Sequence, residues 1–324
     1  MDYRLSKLSL PLPILILFDM NKLIRKLFFK GDKIKTFFIS RLKQSQIQES
    51  VFLKTSDSTL DISKHHGMIC LDPFCVAVWL PGRQLAAIAD KATTIQFKKG
   101  GKLNASINVS VIEKIITPNG ALILFKVEKV KNYQLNPIHR LVFFAYLLKS
   151  PKNTYNSRKV INALYSYPRS IIIVSYRDDD YCNIFPMDIH GYIEEESLYI
   201  LGLRTTNVTL DKILAAKKVV VCDTDEVDIN TVYDLGKHSS TSPTPIEKLP
   251  FGTTSSQLFG FPVPDFSGSY KEIEIIRHRK MGFHMLLVGK VVNVKQIKPD
   301  PSSFYHISFL QFQNSNYNSV EAVY

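Results

Sequence analysis

The stretch Ser175–Lys212, SYRDDDYCNIFPMDIHGYIEEESLYILGLRTTNVTLDK, decides the reading of this chain. The apolar segment Ile171–Tyr176 that runs into it predicts a strand, and the charged run Arg177–Asp180 predicts a turn. Asn183-Ile-Phe-Pro-Met-Asp188 predicts a polar loop with Pro186 as its rigid point. Ser197–Leu203 predicts a second strand, and Arg204-Thr-Thr-Asn-Val-Thr209 predicts a loop that enters a helix at Leu210–Ala216. Two polar loops that each follow a strand can converge on one ligand.

Part of this stretch occurs twice. Lys64-His-His-Gly-Met-Ile-Cys-Leu-Asp-Pro-Phe-Cys-Val-Ala-Val-Trp-Leu80 aligns with Asp188-Ile-His-Gly-Tyr-Ile-Glu-Glu-Glu-Ser-Leu-Tyr-Ile-Leu-Gly-Leu203, so that His66-Gly67 matches His190-Gly191. A second pair sets Phe125–Lys131 with His139–Lys149 against Ile273–Arg277 with His284–Lys295. Two matches in the same order predict a diverged tandem duplication. The copies differ after their strand, where the first has Pro81-Gly-Arg-Gln-Leu-Ala-Ala and the second has Arg204–Thr209.

Outward from the repeat, short Val-, Ile- and Phe-rich segments predict strands at Cys75–Leu80, Thr93–Phe97, Asn108–Ile112, Ala121–Val130 and Leu141–Leu148. They are separated by Pro81-Gly82, Gly100-Gly101 and Pro118-Asn119-Gly120, the pattern of a small antiparallel barrel. Ser157–Tyr165 predicts a short amphipathic helix that Pro168 ends before the strand at Ser170. Further strands are predicted at Lys218–Cys222, Ser269–Arg277 and His284–Ile297. The Gly/Ser/Thr/Pro-rich segment Asp234–Phe266 between them is too long for a hairpin, and reads as a functional excursion or an arm. The aromatic tail from Ser302 is expected to pack.

With 324 residues and 45% hydrophobic content the chain can bury two cores. Its net charge of +12 raises nucleic acid and anionic membranes as partners. Residues 1–50 alone hold ten Lys/Arg against four acids, so half of that excess lies in an N-terminal extension, residues 1–46. Residues 20–48 alternate apolar and basic residues at near-helical spacing that Gly31-Asp32 interrupts, and read as a docking extension. The apolar run Leu8–Phe18 is shorter than the ~20 residues a membrane span needs. Met20 is an alternative start, in which case that run is not in the protein. Cys70, Cys75, Cys182 and Cys222 form no CxxC pair and read as buried thiols of a cytoplasmic protein.

Arg204, Thr205, Thr206, Asn207 and Thr209 gather a guanidinium, hydroxyls and an amide beside a helix start, which is what a phosphate monoester requires. A helix cap by Asn207 or Thr209 explains one of these residues and leaves the others idle. Asn183–Asp188 can offer backbone groups to the edge of a flat heterocycle, and an ordinary turn capped by Asn183 accounts for the same residues. GxGxxG, Walker, HExxH and GxSxG patterns are absent, which argues against Rossmann dinucleotide binding and serine or zinc hydrolysis.

Tyr167-Pro-Arg-Ser-Ile-Ile-Ile-Val-Ser175, Asn183–Asp188, Gly202–Ile213 and Phe283-His-Met-Leu-Leu-Val-Gly-Lys-Val-Val-Asn-Val294 together resemble the flavin reductase-like, flavoredoxin-type FMN-binding split β-barrel family, over about residues 157–300. The resemblance implies a Greek-key barrel that holds FMN without a covalent bond, usually at a dimer interface. It implies that Asn183, Ile184, Phe185, Pro186, Met187 and Asp188 face the isoalloxazine ring, and that Arg204, Thr205, Thr206, Asn207 and Thr209 surround the phosphate. It sets His284 near the cofactor edge. Lys290 departs from the family, which commonly has an acidic residue after the preceding glycine.

The expected fold is mainly β with minor α: two tandem Greek-key split barrels, residues 47–150 and 151–324, forming an intramolecular pseudo-dimer. The expected function is an FMN-dependent oxidoreductase fed by NAD(P)H or an electron-transfer protein, with a non-catalytic flavin-binding or scaffold protein as the alternative. Neither nucleic acid nor a membrane span is expected, and the chain is expected to act as a monomeric pseudo-dimer or a homodimer.

Overall fold

The computed structural model describes residues 26–27, 29, 34–88, 93–148, 155–238 and 241–320. The apolar run Leu8–Phe18, Met20 and most of the basic segment that follows lie outside these residues. None of the described helices is long and apolar enough to cross a membrane.

A first unit follows β1 (Phe37–Lys43) and consists of β2 (Glu49–Lys54), β3 (Thr59–Asp61), β4 (His66–Leu71), β5 (Phe74–Pro81), β6 (Thr93–Lys99), β7 (Lys102–Thr117) and β8 (Gly120–Asn132). Helices α1 (Pro137–Leu148) and α2 (Tyr155–Leu164) lead through β9 (Arg169–Ser170) into the second unit. That unit holds β10 (Ile172–Arg177), β11 (Cys182–Met187), β12 (His190–Ile193), β13 (Leu198–Arg204), α3 (Leu210–Ala216), β14 (Lys218–Cys222) and α4 (Ile229–His238). It continues through the small pair β15 (Thr253–Ser255) and β16 (Pro262–Pro264) to β17 (Ser269–Met281) and β18 (His284–Gln296). The chain then forms β19 (Ser302–Ser308) and α5 (Phe309–Gln313).

The two units are seven-stranded antiparallel sheets of the same strand order. The first runs β3-β2-β6-β7-β8-β5-β4 and the second β11-β10-β14-β17-β18-β13-β12, each strand standing where its counterpart stands. In both, three strands of the sheet meander, β6-β7-β8 and β14-β17-β18, and the sheet strand before them, β5 or β13, returns to pair with the last of the three, a Greek key. β1 and β9 flank β19 in a third sheet, so the N-terminal segment is tied to the C-terminal one.

The units pack through reciprocal contacts. A Cβ built on Gly191 would lie 2.8 Å from the Cα of Gly67, and one built on Gly67 would lie 3.0 Å from the Cα of Gly191. The backbones touch here because neither residue has a side chain. To one side the β7–β8 turn reaches the second unit, where Asn119 N donates to Glu196 Oε1 at 2.9 Å. To the other the β17–β18 turn reaches the first, where Phe283 N donates to Asp72 O at 3.0 Å. Between them lies an apolar core drawn from both units, including Ile69, Trp79 and Leu124 from one and Ile200, Leu286 and Val288 from the other. Equivalent elements of the two units thus make equivalent contacts.

Four expectations change. Leu141–Leu148 belongs to helix α1, not to a strand: Asn136 Oδ1 accepts from His139 N at 2.8 Å and Pro137 occupies the first turn, a capping signal that outweighs the β-type side chains. The second half of the repeat is therefore misaligned, since β8, rather than residues 139–149, is the counterpart of β18. Phe37–Lys43, part of the near-helical pattern, is strand β1, fixed by its pairing with β19. Asn183–Met187 is strand β11 rather than a loop, and Pro186 fits there because β11 is the edge of its sheet, where one row of N–H groups has no ladder partner.

Candidate functional site

The connections between strands are where the units differ most. In the first, β6 passes to β7 through Gly100-Gly101 alone, both at positive φ, 54° and 79°. In the second, residues 223–268 intervene between β14 and β17. Two acids, the half-buried Asp223 and the buried Glu272, anchor this excursion. Asp223 accepts from Gly268 N at 2.8 Å and from Ser269 Oγ at 2.7 Å, closing its base. Glu272, fully buried on β17, accepts from Leu258 N, Phe259 N and Asn293 Nδ2. Charged acceptors holding backbone N–H groups are strong fasteners.

The excursion carries α4 across β11, where a Cβ on Gly236 would come 3.2 Å from Pro186 Cγ. A cleft of about 370 Å³ lies between them. Ile171, Pro186, Met187 and Val232 form its apolar walls, and Asp188, Arg204, Tyr233, Lys237 and His306 supply its polar groups. Mostly apolar walls with a few converging polar groups are the usual construction of a small-molecule site.

A hydrogen-bonded chain forms one wall. Tyr165 Oη donates to Asp188 Oδ2 at 2.9 Å, and His306 Nδ1 meets the same oxygen at 2.6 Å. His306 Nε2 meets Tyr233 Oη at 2.6 Å. Burial pushes the Asp188 carboxyl up, but the hydrogen bond and charge of His306 and the Tyr165 hydroxyl outweigh it, and the net direction is down. An ionised Asp188 fixes Nδ1 of His306 as the protonated nitrogen, so that Nε2 can exchange a proton with the Tyr233 phenol. The order is that of a carboxylate–histidine–hydroxyl triad, with a phenol as the outer group.

Of the residues singled out in the sequence, Pro186, Met187, Asp188 and Arg204 line this cleft. Ile184 and Phe185 are packed in the core of the second unit. Asn183, Asn207 and Thr209 are buried together beneath the loop: Asn183 Nδ2 donates to Thr209 Oγ1 at 2.7 Å, and Asn207 Oδ1 accepts from Thr209 N at 2.8 Å. Thr205 Oγ1 donates to Phe283 O at 3.3 Å, and Thr206 is exposed. His284 pairs across the sheet with Arg204 and is 3% exposed. Its Nδ1 stands 3.4 Å from Cys70 Sγ and its Nε2 is buried without a hydrogen-bond partner. Burial first, then the charge of Arg204, hold His284 down to about 4, so it is neutral at pH 7.

The sequence reading missed Tyr165, Tyr233, Lys237 and His306. Three distant segments supply them, and only the unusual length of the excursion between β14 and β17 marked one of these as functional.

No family model matches the chain, and no curated protein matches it. Solved structures do. An FMN-binding protein from Thermus thermophilus with bound 1-cyclohex-2-enone matches at 21% identity and a TM-score of 0.36, over 40% of this chain and 72% of that one. An NADH:FAD oxidoreductase from Streptomyces globisporus matches at 12% identity and 0.41, over 49% and 92%. Nitrilotriacetate monooxygenase component B from Mycobacterium thermoresistibile matches at 16% identity and 0.41, over 52% and 88%. The likeness is thus to flavin reductases and FMN-binding proteins, at low identity and over about half of the chain.

Proposed function

We propose that this protein is a flavin-dependent oxidoreductase that holds one FMN per chain in the cleft of its second unit. The observation that carries this reading is the cleft itself, whose apolar walls are joined by the cations of Arg204 and Lys237. A flat ring with an anionic tail suits that construction. The unpartnered Nε2 of His284, on the strand paired with Arg204, is a further polar group that the protein alone does not satisfy.

A bound flavin supplies the redox chemistry. Pro186 and Met187 pack against the ring, and Arg204 and Lys237 neutralise the phosphate, with backbone groups of the Thr205-Thr206 turn beside it. Asn183, Asn207 and Thr209 hold that turn from below rather than touching the ligand. Tyr233 presents its phenolic oxygen to the cleft, hydrogen-bonded to Nε2 of His306, whose ring Asp188 orients through Nδ1. The first unit completes the assembly that the family obtains by dimerisation, so one chain suffices, and a tandem duplication explains the shared strand order. NAD(P)H or an electron-transfer protein is the donor in this reading.

The test is the absorbance spectrum of purified protein after reconstitution with FMN, before and after anaerobic addition of NADH or NADPH. One flavin per chain, bleached by the donor, is expected. Two flavins per chain would overturn the assignment to the second unit. Protein that stays colourless after reconstitution would overturn flavin binding and leave a scaffold, and flavin that no donor reduces would leave a binding protein.

A further inference from the structure

A second cavity, of about 400 Å³, lies where the two units meet, lined by Lys64 and His66 from the first and by Arg169, Tyr192 and Lys271 among others from the second. Asp188 borders both this cavity and the flavin cleft.

The cations at this cavity lack the anions that buried cations normally have. Arg169 is 5% exposed; its Nε donates to Leu164 O at 3.4 Å, and its Nη2 has no partner. Lys271 packs its ammonium over the ring of Tyr192 at 5.0 Å, and no ion pair to it or to Arg169 is formed among the described residues. His66 is 6% exposed; its Nδ1 meets Ile62 O at 2.8 Å while its Nε2 is unpartnered. The acids nearby are committed or remote from the floor. Asp188 is held by Tyr165 and His306, Glu195 meets His65 at 2.7 Å, and Glu194 and Glu195 are exposed at the rim. Burial pushes both Arg169 and Lys271 down from their ordinary values, and outweighs the opposing charge of Asp188 at Arg169 and of Asp223 and Glu194 at Lys271.

A buried guanidinium without an ion-pair partner is costly. We propose that this junction cavity is a phosphate-binding site, in which Arg169 and Lys271 receive the oxyanion and Nε2 of His66, a bare acceptor, takes the hydroxyl proton of a singly protonated phosphate oxygen. A guanidinium and an ammonium are the usual pair of phosphate donors, one directional and one a point charge. The exposed glutamates at the rim repel long polyanions, so the ligand is a compact phosphate group, either free or at the end of a small molecule. The site is separate from the flavin cleft and does not rest on flavin binding.

The experiment uses the full chain carrying Arg204→Ala, which disables the other phosphate candidate, and titrates inorganic phosphate and adenosine monophosphate against chloride at matched ionic strength. Thermal midpoint and ³¹P line width are read together. Phosphate is expected to raise the midpoint and broaden its own resonance, and added Lys271→Met to weaken apparent affinity by about tenfold or more. Tighter binding of adenosine monophosphate would assign the site to a nucleotide's phosphate, and weaker binding to the free ion. Lys271→Met is the main variant because Arg169→Met can fail to fold. No response to phosphate up to about 10 mM, an order-of-magnitude ceiling for a specific site, or the same response in folded Lys271→Met, would overturn the proposal.

Discussion

The two units share strand order and differ in what joins the strands. Between β5 and β6 the first unit has the 3-10 turn Gly82–Ile88, where the second has the Arg204–Thr209 loop and α3. Between β6 and β7 the first has two glycines, where the second has the excursion that brings α4, Tyr233 and Lys237 to the cleft. The sheets carry the mutual packing, while the connections of one unit line the cleft. This is the division expected when a rigid scaffold positions variable loops.

The largest test of the shared scaffold is acid. Burial holds His66 down to about 3 and His190 and His284 to about 4, against 6.5 unfolded. The unfolded chain therefore binds more protons below pH 6.5, so these groups contribute full stability above that value and lose it as pH falls toward their folded values. Each histidine is expected to cost roughly 2 kcal/mol by pH 5, or about 6 kcal/mol for the three, read by urea unfolding at pH 7.5 and pH 5. His66 and His190 are equivalent positions, so His66→Asn and His190→Asn should each remove about a third of the slope. Unequal removal would show that the units do not bury their histidines alike.

Next is the contact at which the units meet. Gly191→Ala sets a methyl 2.8 Å from the Cα of Gly67, backbone against backbone, with no flexible side chain to yield. A loss of about 3 kcal/mol is expected in urea unfolding, near the upper end for overpacking. Gly67→Ala should do the same, because the contact is reciprocal. A tolerated substitution at either position would mean that the units separate easily and that the second does not need the first.

Arg204→Ala tests the difference rather than the likeness. Loss of a charge-assisted contact to phosphate is expected to weaken FMN binding by about 10- to 100-fold, measured by flavin fluorescence, with thermal stability nearly unchanged because Arg204 is exposed. Undiminished flavin affinity would remove Arg204 from the phosphate site.

Strand identity was legible in short runs of β-branched residues, as at Lys218–Cys222, which matches β14. It failed where a local polar signal competed with composition. Asn136-Pro137 makes a helix of the apolar 141–148 segment, and an edge position makes a strand of the proline-bearing Asn183–Met187 segment. The His-Gly repeat was legible, although its meaning was not, because only the fold sets Gly67 against Gly191. Half of the cleft was legible for a similar reason. Arg204 and Met187 sit in recognisable motifs, whereas Tyr233 and His306 are single residues that converge only in space.

The smallest effect expected is at the turn that replaces the excursion. Gly101 has φ of 79° and nothing within 4 Å of where a Cβ would stand, so Gly101→Ala meets no steric obstacle and costs only the backbone preference. About 1 kcal/mol of stability should be lost in urea unfolding, with flavin affinity unchanged. The value lies in the pairing with Arg204→Ala, whose effects should be reversed: affinity lost and stability kept. If Gly101→Ala also weakened FMN binding, the first unit would be coupled to the cleft through the junction at Gly67, and its role would extend beyond support.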